Sequence, residues 1–200
     1  MTRIFLVRHG ETAWNVEGRF QGQSDTPLNE TGRQQADALG NYLKGKNLQV
    51  IYTSDLVRAL NTARIIGAYH NVDIKPDPRL RELNFGSWEG MDYYEIQAKH
   101  PKELTDWQEN ILNTAPPGGE SLEQLAKRVQ AVYKHIIPTD LKGDILIVAH
   151  GGVLQVLLCY ALNLPFQNYW QFNLDPGSLS EIAIYLEGVI LNHLNITFDK

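Results

Sequence analysis

Ile4-Phe5-Leu6-Val7-Arg8-His9-Gly10 and Ile145-Leu146-Ile147-Val148-Ala149-His150-Gly151 are the two stretches that decide the architecture. Each begins as an unbroken apolar run, the pattern of a strand buried on both faces of a parallel sheet with helices packed over it. Each stops at a His-Gly step. A weaker run of the same kind, Val50-Ile51-Tyr52-Thr53, lies between them and is followed at once by a helical pattern from Asp55 onward. Strands alternating with helices predict an α/β protein, a three-layer α/β/α sandwich around a mainly parallel central sheet.

The flanking segments fit that frame. Thr31-Gly32-Arg33-Gln34 matches a capping box at the head of a helix running to about Leu43, with Ala36, Leu39 and Leu43 on one face. Asp55 can cap the next helix. Ser121-Leu122-Glu123-Gln124 is a second capping box, after the loop Pro116-Pro117-Gly118-Gly119; its helix runs through about Ile137 with Leu122, Leu125, Val129 and Val132 inward, and Pro138 ends it. The mostly apolar Val153 to Leu162 predicts a buried helix. Ile182 to Leu186 and Val189 to Ile196 predict a hairpin turning at Glu187-Gly188. The segment from about 92 to 120 fits the alternation least, carrying Tyr93, Tyr94, Trp107 and the helix-breaking Pro101, and reads as a mostly helical lid, an excursion over the sheet edge. No repeat, low-complexity tract or second hydrophobic core interrupts the pattern, so residues 1–200 read as one domain.

Composition narrows the partners. The chain is 43% apolar and 20% charged with a formal charge of −5, and Lys and Arg gather nowhere into a track for a phosphate backbone, which argues against nucleic acid. The one cysteine, Cys159, has no internal disulfide partner and sits in an apolar segment, as a core residue would. Arg3, Arg8 and His9 leave too short an apolar stretch near the start for a secretory leader. Val153 to Leu164 is interrupted by Gln155 and Asn163 and falls below the roughly 20 residues that cross a bilayer. The expectation is a cytoplasmic protein with no membrane partner; a homodimer stays open.

In an open parallel sheet, ligands sit beyond the carboxyl ends of the strands. His9 and His150 project there with Arg8, and the strand ending at Thr53 delivers Arg58, one turn into the following helix, to the same rim. Two guanidiniums and two imidazoles suit an anion with several oxygens, phosphate above all. Arg offers a planar fork for two oxygens, and a helix starting near Gly151 turns free N–H groups and its positive end to the same place. The plain alternative is a structural loop histidine and ordinary arginine ion pairs, which the matched strand ends disfavour. A metal site of His9, His150 and a carboxylate is the other alternative. Neither a His-Glu-x-x-His nor a Cys-x-x-Cys spacing occurs, and the arginines would repel a cation, so neither a metal nor another cofactor is expected. His70, His100, His135 and His193 have no motif around them, and Trp88, Trp107 and Trp170 read as packing residues.

Leu6-Val7-Arg8-His9-Gly10-Glu11-Thr12, with Trp14-Asn15 after it, resembles the signature of the histidine phosphatase superfamily, which includes the cofactor-dependent phosphoglycerate mutases. The likeness continues through Gly18-Arg19-Phe20-Gln21-Gly22, Asp25 to Leu28, Ser54 to Ala59, Arg81-Glu82-Leu83, Phe85 to Gly90, Gly118 to Ser121 and Val148 to Gly151. It implies that His9 is the nucleophile and becomes a phosphohistidine, that Arg8, Arg58 and His150 hold the phosphoryl oxygens, and that Glu82 is the proton donor. It also implies that Asn15, Gln21, Gly22 and the Gly151 backbone line the phosphate pocket. Glu11 and Glu89 are the nearby rivals of Glu82. Elementary chemistry agrees: the attacking imidazole needs one bare ring nitrogen, usually arranged by a backbone carbonyl that accepts from the other N–H, and neighbouring Arg charges favour the neutral ring.

Within that family, mutases accommodate a second phosphate, by a longer segment after the proton donor that brings an Arg pair. Here residues 92–120 hold no Arg, only Lys99 and Lys102 against Asp92, Glu95, Glu103, Asp106, Glu109 and Glu120, and an acidic lid repels a second phosphate. Arg19 and Arg81 remain as other candidates for one. The leading expectation is a metal-independent phosphomonoester hydrolase acting on a small phosphorylated metabolite. It is most similar to α-ribazole phosphatases and phosphoserine phosphatases, which makes α-ribazole 5'-phosphate and phosphoserine the named substrates. Tyr93, Tyr94 and Trp107 would suit an apolar or aromatic leaving group if they face the site. The alternatives are a cofactor-dependent phosphoglycerate mutase and a non-catalytic phosphate-binding module; the presence of both His9 and Glu82 speaks against the second.

Overall fold

Apolar residues alternate in direction along a strand, and the first strand sorts its own neighbours accordingly: Ile4 and Leu6 join one buried cluster while Phe5 and Val7 join another. The computed structural model describes residues 2–137 and 143–198. Its strands are β1 (Thr2–Arg8), β2 (Leu48–Thr53), β3 (Asp73–Pro76), β4 (Asp144–Ala149), β5 (Leu179–Ile184) and β6 (Val189–Ile196). Its helices are α1 (Ala13–Val16), α2 (Glu30–Leu43), α3 (Val57–Gly67), α4 (Tyr93–Lys99), α5 (Pro101–Glu109), α6 (Leu122–Ile136) and α7 (Gly151–Ala161). The strands form one sheet in the order β3-β2-β4-β1-β5-β6, parallel from β3 through β1 and antiparallel at β5 and β6.

Leu39 and Leu43 of α2 and Ala59, Ala63 and Ile66 of α3 cover one face of the sheet; Leu125 and Val129 of α6 and Leu154 and Leu157 of α7 cover the other. The three-layer α/β/α sandwich is therefore as the sequence predicts. Ile4, Phe5, Val7 and Ile145 to Ala149 have no exposed surface, and Leu6 is all but buried. Each Val, Leu, Ile or Phe side chain among them contributes roughly 1.5–3 kcal/mol by leaving water. The strands that carry the two His-Gly steps are thus anchored in the core on both faces.

Several local readings need correction. The head of α2 is not the Thr31 box: Asn29 is the cap, its side-chain oxygen accepting from Gly32 N–H at 2.8 Å, and Asn29 is itself tied to Glu11 through both backbone and side chain. Asp55 does not cap α3 either. The Val57 N–H at that helix start donates to Asp25 across 32 residues of sequence, and Asp55 pairs with Arg81 instead. A cap supplied from a distant loop leaves no local signature. The Ser121 box forms as read, and Pro138 lies outside the described residues.

Strand β3 escaped the sequence reading because it is four largely exposed residues that pair only with β2. β5 spans Leu179–Ile184 rather than 182–186, its turn closed by Tyr185 N–H on the Gly188 carbonyl at 2.8 Å. Arg58 is the second residue of α3, not a full turn inside it. The excursion folds as two helices, with Pro101 at the first position of α5, where its missing N–H costs nothing. It packs Ile96, Leu104 and Trp107 together with Trp88, Phe20, Phe85 and Met91 into a small satellite cluster, which Phe85 joins to the main core.

Candidate active site

The register of two strands creates the site. Arg8 stands opposite Ala149 in the β1–β4 ladder, and the next bond, His9 N–H to the Ala149 carbonyl at 2.9 Å, brings the residues after both strands to one level. His9 and His150 meet there edge to face, with ring centroids 5.1 Å apart. The Gly10 carbonyl accepts from His9 Nδ1 at 2.8 Å, so Nε2 is the nitrogen left without a proton. Arg58 Nε donates to that Nε2 at 3.3 Å, the long end of the hydrogen-bond range. Burial, and then the Arg58 and Arg8 charges, hold His9 well below the ordinary imidazole range. His150 is lowered well below it too, by burial first and then by Arg58, His9 and Arg8. Both rings are therefore neutral at neutral pH.

Arg58 is fully buried, and its guanidinium is a connector as much as a charge. Nη1 donates to the Ser24 carbonyl at 2.8 Å and Nη2 to the Gly22 carbonyl at 2.6 Å, which pins the 22–24 loop beside His9. Burial lowers it to about 10, against the pull of Glu82, Asp25 and Glu89, so it stays cationic at neutral pH. Arg8 reaches across to the Leu174 carbonyl, while its buried Nε has no partner among the described residues, and neither does either ring nitrogen of His150. Asn15 and Gln21 show the same polarity: Thr12 occupies the carboxamide oxygen of Asn15 and Thr26 that of Gln21, leaving each NH₂ as the available group. Two of the glycines are required by close approach. A Cβ on Gly22, whose φ is +52°, would strike the Glu89 carboxylate, and one on Gly10 would strike the Gly32 carbonyl.

A cavity of about 240 Å³ opens onto these groups, lined among others by Arg8, His9, Asn15, Gln21, Gly22, Arg58 and Glu82. Of the predicted site residues, His150 and Gly151 do not line it: His150 stands fully buried against His9, and a Cβ placed on Gly151 would come to 3.7 Å from the Arg8 guanidinium. The carboxylates separate cleanly. Glu89 is consumed by the loop, accepting from Gln23 N–H, Phe85 N–H and the Ser24 hydroxyl, and Glu11 by Asn29. Glu82 alone faces the cavity, with Oε2 on the Gly152 N–H at 3.2 Å and Oε1 on Leu83 N–H at 2.9 Å. Among the described residues no three His, Cys, Asp or Glu side chains group as a metal site.

At the rim the expectations change. Tyr93, Tyr94 and Trp107 do not line the cavity: Tyr94 is largely exposed, and Trp107 packs edge to face on Trp88 at 5.6 Å. The apolar wall is instead Phe20 and Phe85, edge to face at 4.9 Å. Both lie in family-like motifs, Gly18 to Gly22 and Phe85 to Gly90, and no periodicity distinguishes them from core phenylalanines. Arg19 also lines the cavity, held by Glu17 at 2.7 Å and by Glu95 of α4 at 2.9 Å, whereas Arg81 is taken by Asp55. Among the described residues no helix is long and apolar enough to cross a membrane.

The sequence pattern of the histidine phosphatase superfamily (branch 1) matches residues 4–197. The chain is 32% identical over 197 residues to phosphoserine phosphatase 1 of Hydrogenobacter thermophilus, covering 98% of this chain and 93% of that one. It is 37% identical over 186 residues to a Proteus mirabilis protein named probable phosphoglycerate mutase GpmB, covering 91% and 85%. The crystal structure of the α-ribazole phosphatase from Shigella flexneri superposes with a TM-score of 0.87 at 30% identity, covering 97% of this chain and 96% of that chain.

Proposed function

The chain belongs to branch 1 of the histidine phosphatase superfamily, and from that premise we propose that it hydrolyses small phosphomonoesters through a phosphohistidine on His9. The observation that carries the assignment is the tautomer: Gly10 accepts from Nδ1–H, so the bare Nε2 lies beside the Arg58 guanidinium, next to the unpartnered donors of Arg8 and His150. His9 Nε2 bonds to phosphorus as the ester P–O bond breaks, and its electron pair leaves with the alkoxide oxygen, which takes the proton of Glu82. Arg8 and Arg58 neutralise the charge on the equatorial oxygens, the NH₂ groups of Asn15 and Gln21 donate hydrogen bonds to them, and the neutral His150 ring, packed on His9, supplies a further N–H donor at the cavity's edge. Glu82, now a carboxylate, takes a proton from water as that water attacks phosphorus; the N–P bond breaks and its electrons return to Nε2. Alcohol and inorganic phosphate leave, and the enzyme is restored.

A phosphoglycerate mutase is the second reading, favoured by the 37% identity to a protein of that name. Mutase action requires a cation for a second phosphate, and the remaining cation lining the cavity, Arg19, already carries two carboxylates. Hydrolysis is therefore the better reading, with phosphoserine and α-ribazole 5'-phosphate the first substrates to assay, as the names of the relatives suggest. The test is incubation with ³²P-labelled substrate and acid quench. The wild type yields an acid-labile label and free phosphate, and His9→Ala yields neither, with turnover lower by at least about 10⁴-fold. A label that persists in His9→Ala overturns the nucleophile, and interconversion of phosphoglycerates outpacing phosphate release favours the mutase.

A further inference from the structure

Arg128 lies in α6 outside the cavity, and no motif marks it. All five of the N–H donors that a guanidinium owns have an acceptor. Nε and Nη2 grip the carboxylate of Glu120 at 2.8 Å each; Nη1 takes the carbonyls of Arg79, at 2.8 Å, and Arg81; Nη2 also takes the carbonyl of Glu82 at 2.9 Å. Glu120 completes the clasp from its own side, its N–H donating to the Asn84 carbonyl at 2.8 Å and its Oε2 accepting from Asn84 N–H at 3.3 Å. The two charged side chains are mostly shielded, 18% and 15% exposed.

The segment so gripped, 79–84, carries Glu82 into the cavity and belongs to none of the described strands, and the Glu82 carbonyl accepts besides only from Gln23 Nε2, at 3.3 Å, among the described residues. A Glu side chain on such a segment points wherever its backbone lets it. Here the backbone is held on both sides of Glu82 and at Glu82 itself, from a helix whose inward face is buried core. We infer that Arg128, braced by Glu120, is a positioning residue for the Glu82 carboxyl, setting the donor against the leaving oxygen rather than touching substrate. The inference rests on the reading of Glu82 as proton donor.

A clasp that served stability alone would slow all substrates equally, whereas a clasp that aims a proton donor matters in proportion to the leaving group's need for a proton. The experiment compares kcat/KM, which reports the steps up to alcohol release, for phenyl phosphate and p-nitrophenyl phosphate in the wild type, Arg128→Lys, Glu120→Gln and Glu82→Gln. Lysine keeps the charge but has neither the fork nor the five donors. For Arg128→Lys the loss on phenyl phosphate exceeds that on p-nitrophenyl phosphate by about tenfold or more. Glu120→Gln, which retains one acceptor oxygen and guards against a misfolded Arg128→Lys, shows the same selectivity at smaller size. Equal losses on both substrates, or none, overturn the positioning role while Glu82→Gln remains selective. If Glu82→Gln itself lacks the selectivity, the donor assignment falls and this inference with it.

Discussion

Arg8, His9 and His150 stand at the ends of β1 and β4, whose central residues are buried against helices on both faces, whereas Arg19 and Phe20 stand on a loop backed by the three buried residues Trp88, Ile96 and Leu104, with Phe85 between that cluster and the main core. Floor and rim therefore differ in how much free energy opposes their movement. A segment with few buried apolar contacts opens at lower cost than one in the main core. In the proposed mechanism the groups that bond to phosphorus and its oxygens need fixed positions, and the sheet supplies them. The groups that meet the variable half of a substrate sit on the smaller foundation, where sequence can change without disturbing the chemistry.

The sharpest way to break that division is at Arg58, where the floor is joined to a loop. Arg58→Lys keeps a cation beside His9 but gives up the fork that holds both Gly22 and Ser24 carbonyls, leaving acceptors without donors in a buried place. The expected outcome is a loss of about 10²–10³-fold in kcat/KM for every phosphomonoester, good and poor leaving groups alike, with a lowered melting temperature. A loss confined to some substrates would place Arg58 with the rim.

Acid sharpens the same contrast. His9 and His150 hold their protons less tightly in the folded chain than an unfolded imidazole does, chiefly because they are buried. As the pH falls through about 6.5 the unfolded chain therefore takes up protons that the folded chain refuses, and stability falls, by at most about 1.4 kcal/mol per pH unit for each ring; above about pH 7.5 both states are neutral and the dependence vanishes. Denaturant melts at pH 7.5, 6.5 and 5.5 should show this slope, and His150→Gln, which cannot titrate, should flatten part of it. An unchanged slope in His150→Gln would mean that His150 is not among its sources.

How much of this was legible in the sequence follows the same line. The apolar runs ending at His9 and His150 announced the parallel strands, and the register then had little choice but to bring the two rings together. The partners of Arg58 and the cap on α3 come from Gly22, Ser24 and Asp25, more than thirty residues away, and contacts of that kind have no periodicity to read. The five-fold grip of Arg128 was invisible for the same reason. Tyr93 and Tyr94 misled because aromatic content says that a surface is covered and leaves open which one. Phe20 and Phe85, which do wall the cavity, look like any other core residue until the satellite cluster is assembled.

The smallest expected effect lies on the rim, at Glu95, and it bears on the choice between hydrolase and mutase. Glu95 holds Arg19 at 2.9 Å and also completes the capping box of α4, accepting from Asp92 N–H at 3.0 Å. Glu95→Gln keeps an oxygen for that cap while removing the charge, so the helix survives and Arg19 is left to Glu17 and the Gly90 carbonyl. Both side chains are partly exposed, which limits the pair to a modest interaction screened by water. Competitive inhibition by a bisphosphate should therefore tighten by about two- to fivefold in Glu95→Gln, with inhibition by inorganic phosphate unchanged. Should both inhibitors respond alike, the carboxylate acts on the floor rather than on a second phosphate. Should neither respond, Arg19 is not available to a distal anion even when released, and the mutase reading loses its remaining cation.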